Sequence, residues 1–96
     1  MLSMMRMRAV GVREWSCTLL RRVARVGANR LAIEIEDTTA FSSFLRNTTV
    51  EVHLPLGGCF IAKIEVCADH YFLLTVEEYL DPLHCQDDIQ RFEIQG

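Results

Sequence analysis

A stretch of three apolar segments joined by turn residues, 48–79, constrains the fold most strongly. In its first segment, residues 50–54, apolar and polar side chains alternate. This period of two is typical of a half-buried strand. Pro55 ends the segment because it has no N–H for a strand ladder. Gly57-Gly58 then predicts a tight hairpin, since glycine readily adopts positive φ angles.

The second and third segments continue the same pattern. One face of the second predicted strand carries Phe60, Ala62, Ile64 and Val66. Residues 68–70 form the next predicted turn, and residues 71–76 are nearly all apolar, as expected of a strand covered on both faces. Two short connections in succession favour antiparallel pairing over a parallel crossover. The whole stretch therefore predicts a three-stranded antiparallel meander.

Upstream of the meander, residues 14–26 fit two patterns. Apolar side chains recur at helical spacing from Trp15 to Val26, with arginines on another side. Gly27-Ala28-Asn29 is instead good turn chemistry, and residues 31–36 alternate as a strand does. We favour a hairpin of residues 17–26 with residues 30–36, and the helix remains the alternative.

Two further segments complete the predicted fold. A short helix is expected over 40–46, capped by Asp37 or a threonine and ended by Asn47. Residues 89–94 fit either a helix or a strand. The prediction is a mainly β chain, a single small antiparallel β-barrel of five or six strands with one or two short helices. Residues 1–12 would be a basic N-terminal arm, and residues 13–96 the barrel domain.

Charge divides the chain into two unlike parts. Residues 1–30 hold seven arginines and one glutamate, whereas residues 31–96 carry a net charge of −9. Such a split predicts a basic segment that contacts nucleic acid, a membrane surface or an acidic partner, or else folds back on the acidic body. The candidate contact residues are Arg8, Arg13, Arg21, Arg22, Arg25 and Arg30. An Arg-rich, acid-poor start also permits a mitochondrial targeting segment as a minor alternative to a cytoplasmic location.

The four cysteines and three histidines lack the spacing of a metal or catalytic motif. The sequence has no CxxC pair, no helical HxxxH and no GxxxxGK phosphate loop. We therefore expect no metal, no cofactor and no catalysis, with reduced cysteines in an intracellular chain. The longest apolar runs are also too short to span a membrane.

Residues 40–96 resemble the Sm-like family of small barrels, which includes the bacterial Hfq proteins. The residues in family order are Val50, Val52, Leu54, Gly57, Phe60, Ile64, Asp69, Phe72 and Leu74. This resemblance implies a helix before the strands, a ring-shaped oligomer and RNA binding. Ala62 stands where that family has glycine, and Asp87-Asp88 lies where a basic motif would be expected.

Most of the chain is also similar to the PilZ-like family of cyclic-dinucleotide-responsive barrels. Either Arg8 and Arg13 or Arg21 and Arg25 stand for the N-terminal arginines of that pattern. Residues 37–42 stand for its Asp-x-Ser-x-x-Gly motif, with Ser42 in place of the glycine. The resemblance implies a nucleotide-binding regulatory domain.

Two tyrosines complete the candidate site residues. Tyr71 and Tyr79 share a strand face by parity and could line an exposed groove or an oligomer interface. Because small open barrels expose strand edges, we expect edge-to-edge self-association. The leading prediction is a non-enzymatic binding or adaptor module that acts through protein–protein contacts and self-associates. An RNA-binding or cyclic-dinucleotide-binding barrel is the alternative.

Overall fold

Six antiparallel strands form one sheet that closes into a ring in the computed structural model, which describes residues 3–36, 38–41 and 44–93. The strands are β1 (Met4–Ala9), β2 (Ser16–Gly27), β3 (Arg30–Ile35), β4 (Thr49–His53), β5 (Cys59–Cys67) and β6 (Tyr71–Asp81). Their order around the ring is β1-β2-β3-β6-β5-β4, and β4 closes it by pairing with β1. The prediction of a mainly β chain is confirmed, with six strands.

The predicted meander is confirmed as β4, β5 and β6. Val52 pairs with Phe60 across the first hairpin, and Ile64 pairs with Leu74 across the second. All four side chains are buried. The predicted hairpin of residues 17–26 with 30–36 is likewise confirmed as β2 and β3.

Alternate side chains of the strands fill the interior of the ring. The inward-facing buried residues are Met5, Met7, Leu20, Val23, Leu31, Ile33, Ile35, Val50, Val52, Phe60, Ala62, Ile64, Phe72, Leu74 and Val76. Phe41 closes one end, its ring 5.3 Å from that of Phe72. Complete burial of each Val, Leu, Ile, Phe or Met side chain in this interior contributes about 1.5–3 kcal/mol. The opposite end is closed by a helix, α1 (Pro82–Phe92).

A β-bulge explains why residues 14–26 also fit a helix. The register of β2 against β3 shifts between Leu20 and Arg22. Leu20 and Val23 are therefore both buried although they are three residues apart. The extra residue of a bulge breaks the period of two and creates one helix-like interval within a strand.

A second bulge corrects the predicted face of the tyrosines. Ala62 pairs with Val76, but the next paired residues are Ile61 and Glu78, so Glu77 is the extra residue. Beyond it the parity of β6 reverses. Tyr71 is exposed on the outer face, whereas Tyr79 packs against the core, with its ring 6.1 Å from that of Phe60. The two tyrosines do not share a face.

The expectation that residues 71–76 are covered on both faces was also wrong. Phe72, Leu74 and Val76 are buried, but Tyr71 is exposed and Leu73 is only half-buried. The ring has one packed interior, so a continuous apolar run in β6 supplies both core residues and part of the outer surface.

The segment before β4 is not the predicted helix in its described residues. A 3-10 helix covers Thr39–Phe41, and Phe44 is outside any helix. The proposed cap Asp37 and residues 42–43 lie outside the described residues. Asn47 does adopt the positive φ expected of a chain-reversing residue, 70°.

The C-terminal element is a helix that begins earlier than predicted. Asp81 is its N-cap and accepts a hydrogen bond from the backbone N–H of His84, and Pro82 occupies the first turn. Aspartate before proline is typical of a helix start. Residues 86–88, predicted to be a connection, therefore lie within α1. Residue 94, the end of the predicted element, lies outside the described residues.

A buried carboxylate fixes α1 on the β4–β5 turn. Asp88 accepts hydrogen bonds from the backbone N–H groups of Leu56 and Gly58, both at 2.8 Å. Gly57 has a φ of 101°, as predicted for this turn. Gly58 is required for space, because a Cβ there would lie 2.7 Å from Asp88 Oδ2.

Half of the predicted N-terminal arm, residues 4–9, belongs to the sheet. Within residues 1–12, β1 pairs with both β2 and β4 and contributes two methionines to the core. In the part of the chain that the structure describes, no helix has the length and apolar character needed to cross a membrane.

Candidate binding site on the outer face of the sheet

Two arginines of β1 lie over one tryptophan on the outside of the ring. Because the side chains of a strand alternate, Met5 and Met7 point inward while Arg6 and Arg8 lie on the outer face. The loop to β2 brings Trp15 beside them. The guanidinium carbons Cζ of Arg6 and Arg8 lie 4.5 and 4.3 Å from the centroid of the Trp15 ring. Both distances are within the range of cation–π attraction.

Strand β4 adds a histidine and a carboxylate to this arrangement. Arg6 is the register partner of His53, and Arg8 is that of Glu51. Arg8 Nη2 lies 3.2 Å from Glu51 Oε1, and the His53 ring meets the Trp15 ring edge-on with centroids 4.8 Å apart. We name Arg6, Arg8, Trp15 and His53 the Arg–Trp cluster.

Strand β5 places a thiol next to the same histidine. Cys59 is the register partner of His53, and its Sγ lies 3.3 Å from His53 Nε2. Glu51 Oε2 lies 2.5 Å from the same nitrogen. The ligand atoms of Glu51, His53 and Cys59 all lie within 4.8 Å of one another, so these residues could hold a metal ion.

The pKa values of this group do not favour nucleophilic catalysis. Hydrogen bonding to His53 and then to Arg8 lowers the pKa of Glu51 despite partial burial. Burial, and then the negative charge of Glu51, raise the pKa of the Cys59 thiol. A nucleophilic cysteine needs a lowered pKa. Moreover, both contacts of His53 are made at Nε2, whereas a Cys–His–carboxylate triad uses both ring nitrogens.

Three of the other candidate arginines form ion pairs with the acidic body. Arg21 pairs with Glu36 at 3.3 Å and Arg22 with Glu34 at 3.2 Å, both between β2 and β3. Arg30 donates from Nε to Glu65 at 2.9 Å. All three pairs are partly exposed to solvent. These contacts agree with the alternative in which the basic segment folds back on its own body.

Arg25 and Tyr79 lie together at the helical end of the ring. Both line a cleft of about 420 Å³ that is bordered by Cys85 and Ile89 of α1. Tyr71 lies elsewhere, on the outer face of β6 beside Glu34, its register partner. The predicted pair of tyrosines is thus divided between two places.

The last predicted contact residue, Arg13, is exposed in the β1–β2 loop two residues before Trp15. In one of the two PilZ-like placements, that of Arg8 and Arg13, Arg8 is therefore a member of the Arg–Trp cluster and Arg13 lies in the loop that carries Trp15. Asp37 and Ser42 of the second PilZ-like motif lie outside the described residues.

Sequence reasoning missed five residues of this site: Arg6, Trp15, Glu51, His53 and Cys59. The alternation of polar and apolar side chains over residues 50–54 does predict that Glu51 and His53 lie on the outer face of this strand. The missing information was the pairing of β4 with β1, since their hydrogen-bonded residues are separated by more than 40 positions. The β4–β5 hairpin itself does predict that His53 and Cys59 face each other across the turn.

Comparisons with protein-family models, with curated proteins and with solved structures give no match for this chain. The fold and the site define it as a small mainly β protein, a closed six-stranded sheet with an aromatic and charged cluster on its outer face.

Proposed function

We propose that this protein is a non-enzymatic binding module, a small β-barrel that recognises an acidic segment of a protein partner through the Arg–Trp cluster. The observation that carries the proposal is the placement of two guanidinium groups, those of Arg6 and Arg8, within 4.5 Å of the centroid of the Trp15 ring on the outside of the sheet. Tryptophan and arginine are the residues most enriched among those that dominate binding energy at protein interfaces.

The surroundings of the cluster suit a protein partner. Val10 and Val12 of the β1–β2 loop are exposed by 57% and 49%, and Arg13 is exposed beside them. Apolar contacts next to several arginines suit a peptide that carries both carboxylates and an apolar side chain. Glu51 neutralises part of the charge of Arg8, which leaves Arg6 and Arg13 as the main cations for the ligand.

The closed ring changes the expected mode of association. Each described strand pairs with two neighbours, so the free edges that favour edge-to-edge assembly are absent from the described sheet. The proposed partner is therefore a different protein, and not a second copy joined through strand edges. A cytoplasmic location is part of the proposal, and the four free thiols suit such a reducing compartment.

A nucleotide ligand is the second candidate, because arginine and tryptophan also bind phosphates and stack on bases. The proximity of Arg8 and Arg13 to Trp15 favours the PilZ-like alternative, a cyclic dinucleotide. An Sm-like RNA-binding function gains less, since Arg21, Arg22 and Arg30 are paired with glutamates.

Trp15 provides a direct test because it is the only tryptophan of the chain. An acidic peptide with one apolar residue, a short RNA and a cyclic dinucleotide are titrated separately while Trp15 fluorescence is recorded. We expect the peptide to change the emission and the response to disappear in the Arg6→Ala/Arg8→Ala variant. The matched control, Arg21→Ala/Arg22→Ala, should respond as the wild-type protein does.

Each ligand gives a distinct outcome. A response to the cyclic dinucleotide or the RNA alone, lost in the same variant, would replace the proposed partner by a nucleotide. No response to any of the three, or an unchanged response in Arg6→Ala/Arg8→Ala, would contradict a binding role for the cluster. Circular dichroism of both variants establishes that the sheet is intact.

A further inference from the structure

We propose that Glu51, His53 and Cys59 form a Zn²⁺ site on the outer face of β4 and β5. Each residue supplies one ligand atom, namely a carboxylate oxygen, an imidazole nitrogen and a thiolate sulfur. The proposal does not depend on the partner of the Arg–Trp cluster, because it concerns the binding of the ion itself.

The first argument is convergence on one nitrogen. Cys59 Sγ and Glu51 Oε2 both approach His53 Nε2, at 3.3 and 2.5 Å. A ring nitrogen carries at most one proton, so His53 Nε2 cannot donate a full hydrogen bond to both Cys59 Sγ and Glu51 Oε2. A cation placed between the three atoms would instead contact a lone pair of each. The arrangement suits a metal ion better than a single shared proton.

The second argument is distance. Zinc lies about 2.3 Å from a cysteine sulfur and about 2.0–2.2 Å from imidazole nitrogen and carboxylate oxygen, so tetrahedral ligand atoms are separated by about 3.3–3.8 Å. For a sulfur–nitrogen pair these bond lengths give a separation of about 3.5 Å. The observed distance of 3.3 Å between Cys59 Sγ and His53 Nε2 is close to this value. Glu51 Oε2 needs to move away from His53 by about 1 Å, a small rotation for a glutamate side chain.

The third argument is the support around the ligands. His53 and Cys59 are register partners in adjacent strands, and Glu51 is two residues from His53 on the same face. The edge contact with Trp15 orients the imidazole ring. Arg8 contacts Glu51 Oε1, which leaves Oε2 for the ion. Such outer contacts fix the orientation of metal ligands and affect affinity.

The ligand types identify the metal class. A thiolate and an imidazole favour zinc over magnesium and calcium, which take oxygen ligands. As the zinc–sulfur bond forms, the Cys59 thiol releases its proton to solvent. Three protein ligands leave a fourth position for water, which is the arrangement of an accessible zinc site rather than of a closed structural one.

Equilibrium dialysis against Zn²⁺ tests the site, with metal content measured by mass spectrometry. We expect one ion per chain, and binding weakened about 100-fold or more in Cys59→Ser and in His53→Gln, since even outer-contact mutations cost about 10–100-fold. The matched control Cys67→Ser/His70→Gln removes a cysteine and a histidine of the β5–β6 hairpin and should bind normally. Co²⁺ should also give a thiolate charge-transfer band that Cys59→Ser abolishes.

Absence of Zn²⁺ binding to the wild-type chain would overturn the proposal. So would binding that is unchanged in Cys59→Ser and His53→Gln, because the ion would then have other ligands. Circular dichroism establishes that each variant is folded. Glu51→Gln is a further variant that keeps the side-chain volume, and its Co²⁺ spectrum is measured in the same way. A failed peptide titration with normal Zn²⁺ binding would reject only the proposed function.

Discussion

At the scale of a single residue, Gly58 is the point where the first hairpin of the meander packs closely against α1. A Cβ at this position would lie 2.7 Å from Asp88 Oδ2 and 2.9 Å from the Cys85 Cα atom. The second contact is with backbone, which cannot turn aside as a flexible side chain can. The sequence predicted a turn here but not the close approach of the helix.

We expect Gly58→Ala to destabilise the protein by about 1–3 kcal/mol, the usual cost of forcing an extra carbon into a packed site. Urea denaturation measures the free energy of unfolding. Gly27→Ala is the matched control, because a Cβ there meets the flexible Arg30 side chain at 3.3 Å or more. Equal stability of the two variants would show that α1 does not pack on the turn as described.

At the scale of the element, Asp88 determines how α1 is held. Its two oxygens accept from the N–H groups of Leu56 and Gly58, and its side chain is buried. In Asp88→Asn the amide NH₂ faces one of these donors. An unsatisfied buried N–H costs about 1–3 kcal/mol, so we expect a loss of stability of that size. Asp87→Asn, on the exposed side of α1, should leave stability nearly unchanged.

The same residue gives a pH dependence. Burial raises the pKa of Asp88 above its ordinary value of 3.8, although the two backbone hydrogen bonds oppose this shift. The folded state therefore holds the proton more tightly than the unfolded state does. The contribution of Asp88 to stability is complete below the unfolded pKa and falls as pH rises through the folded pKa.

Urea denaturation from about pH 3 to about pH 7 should show this fall as a declining difference between the wild-type protein and Asp88→Asn. A difference that rises with pH over this range would show that the two hydrogen bonds outweigh burial.

The elements themselves differ in how far the sequence predicts them. Strands with unbroken alternation, such as β3 and β4, are evident from side-chain pattern alone. The bulges at Arg21 and Glu77 are two of the register shifts that change the parity of a strand. The bulge at Arg21 makes the strand resemble a helix, and the one at Glu77 falls between residues whose types do not reveal which of them is unpaired. The start of α1 was predictable from Asp81-Pro82, whereas the turn at 39–41 depends on packing against the ring.

At the scale of the whole molecule, the candidate site exists because the sheet closes. Arg8 meets Glu51 only through the pairing of the first strand with the fourth. Local patterns predict hairpins, since their partners are close in sequence, but they do not predict which distant strands meet. The ion pairs between the basic segment and the acidic body agree with one of the alternatives that the charge split offered. The Arg–Trp cluster could not be predicted in this way, because it forms only when β1 pairs with β4.

Removal of residues 1–9 tests this closure. Without β1, strands β2 and β4 each lose a neighbour and expose unpaired N–H and C=O groups, which are templates for pairing with other chains. The core also loses Met5 and Met7, both buried. We expect the truncated chain to form large oligomers in light scattering, whereas the full chain should have the monomer mass of 11.0 kDa.

The matched control removes only residues 1–2, which keeps both pairings of β1 and the hydrogen bond that the backbone oxygen of Ser3 accepts from the N–H of Leu20. This chain should keep the monomer mass and the Trp15 emission of the full protein. If the chain without residues 1–9 stayed monomeric and kept its other five strands, those strands would be sufficient to protect their own edges. In that case closure by β1 would serve mainly to bring Arg6 and Arg8 to Trp15, and its loss would abolish ligand binding without aggregation.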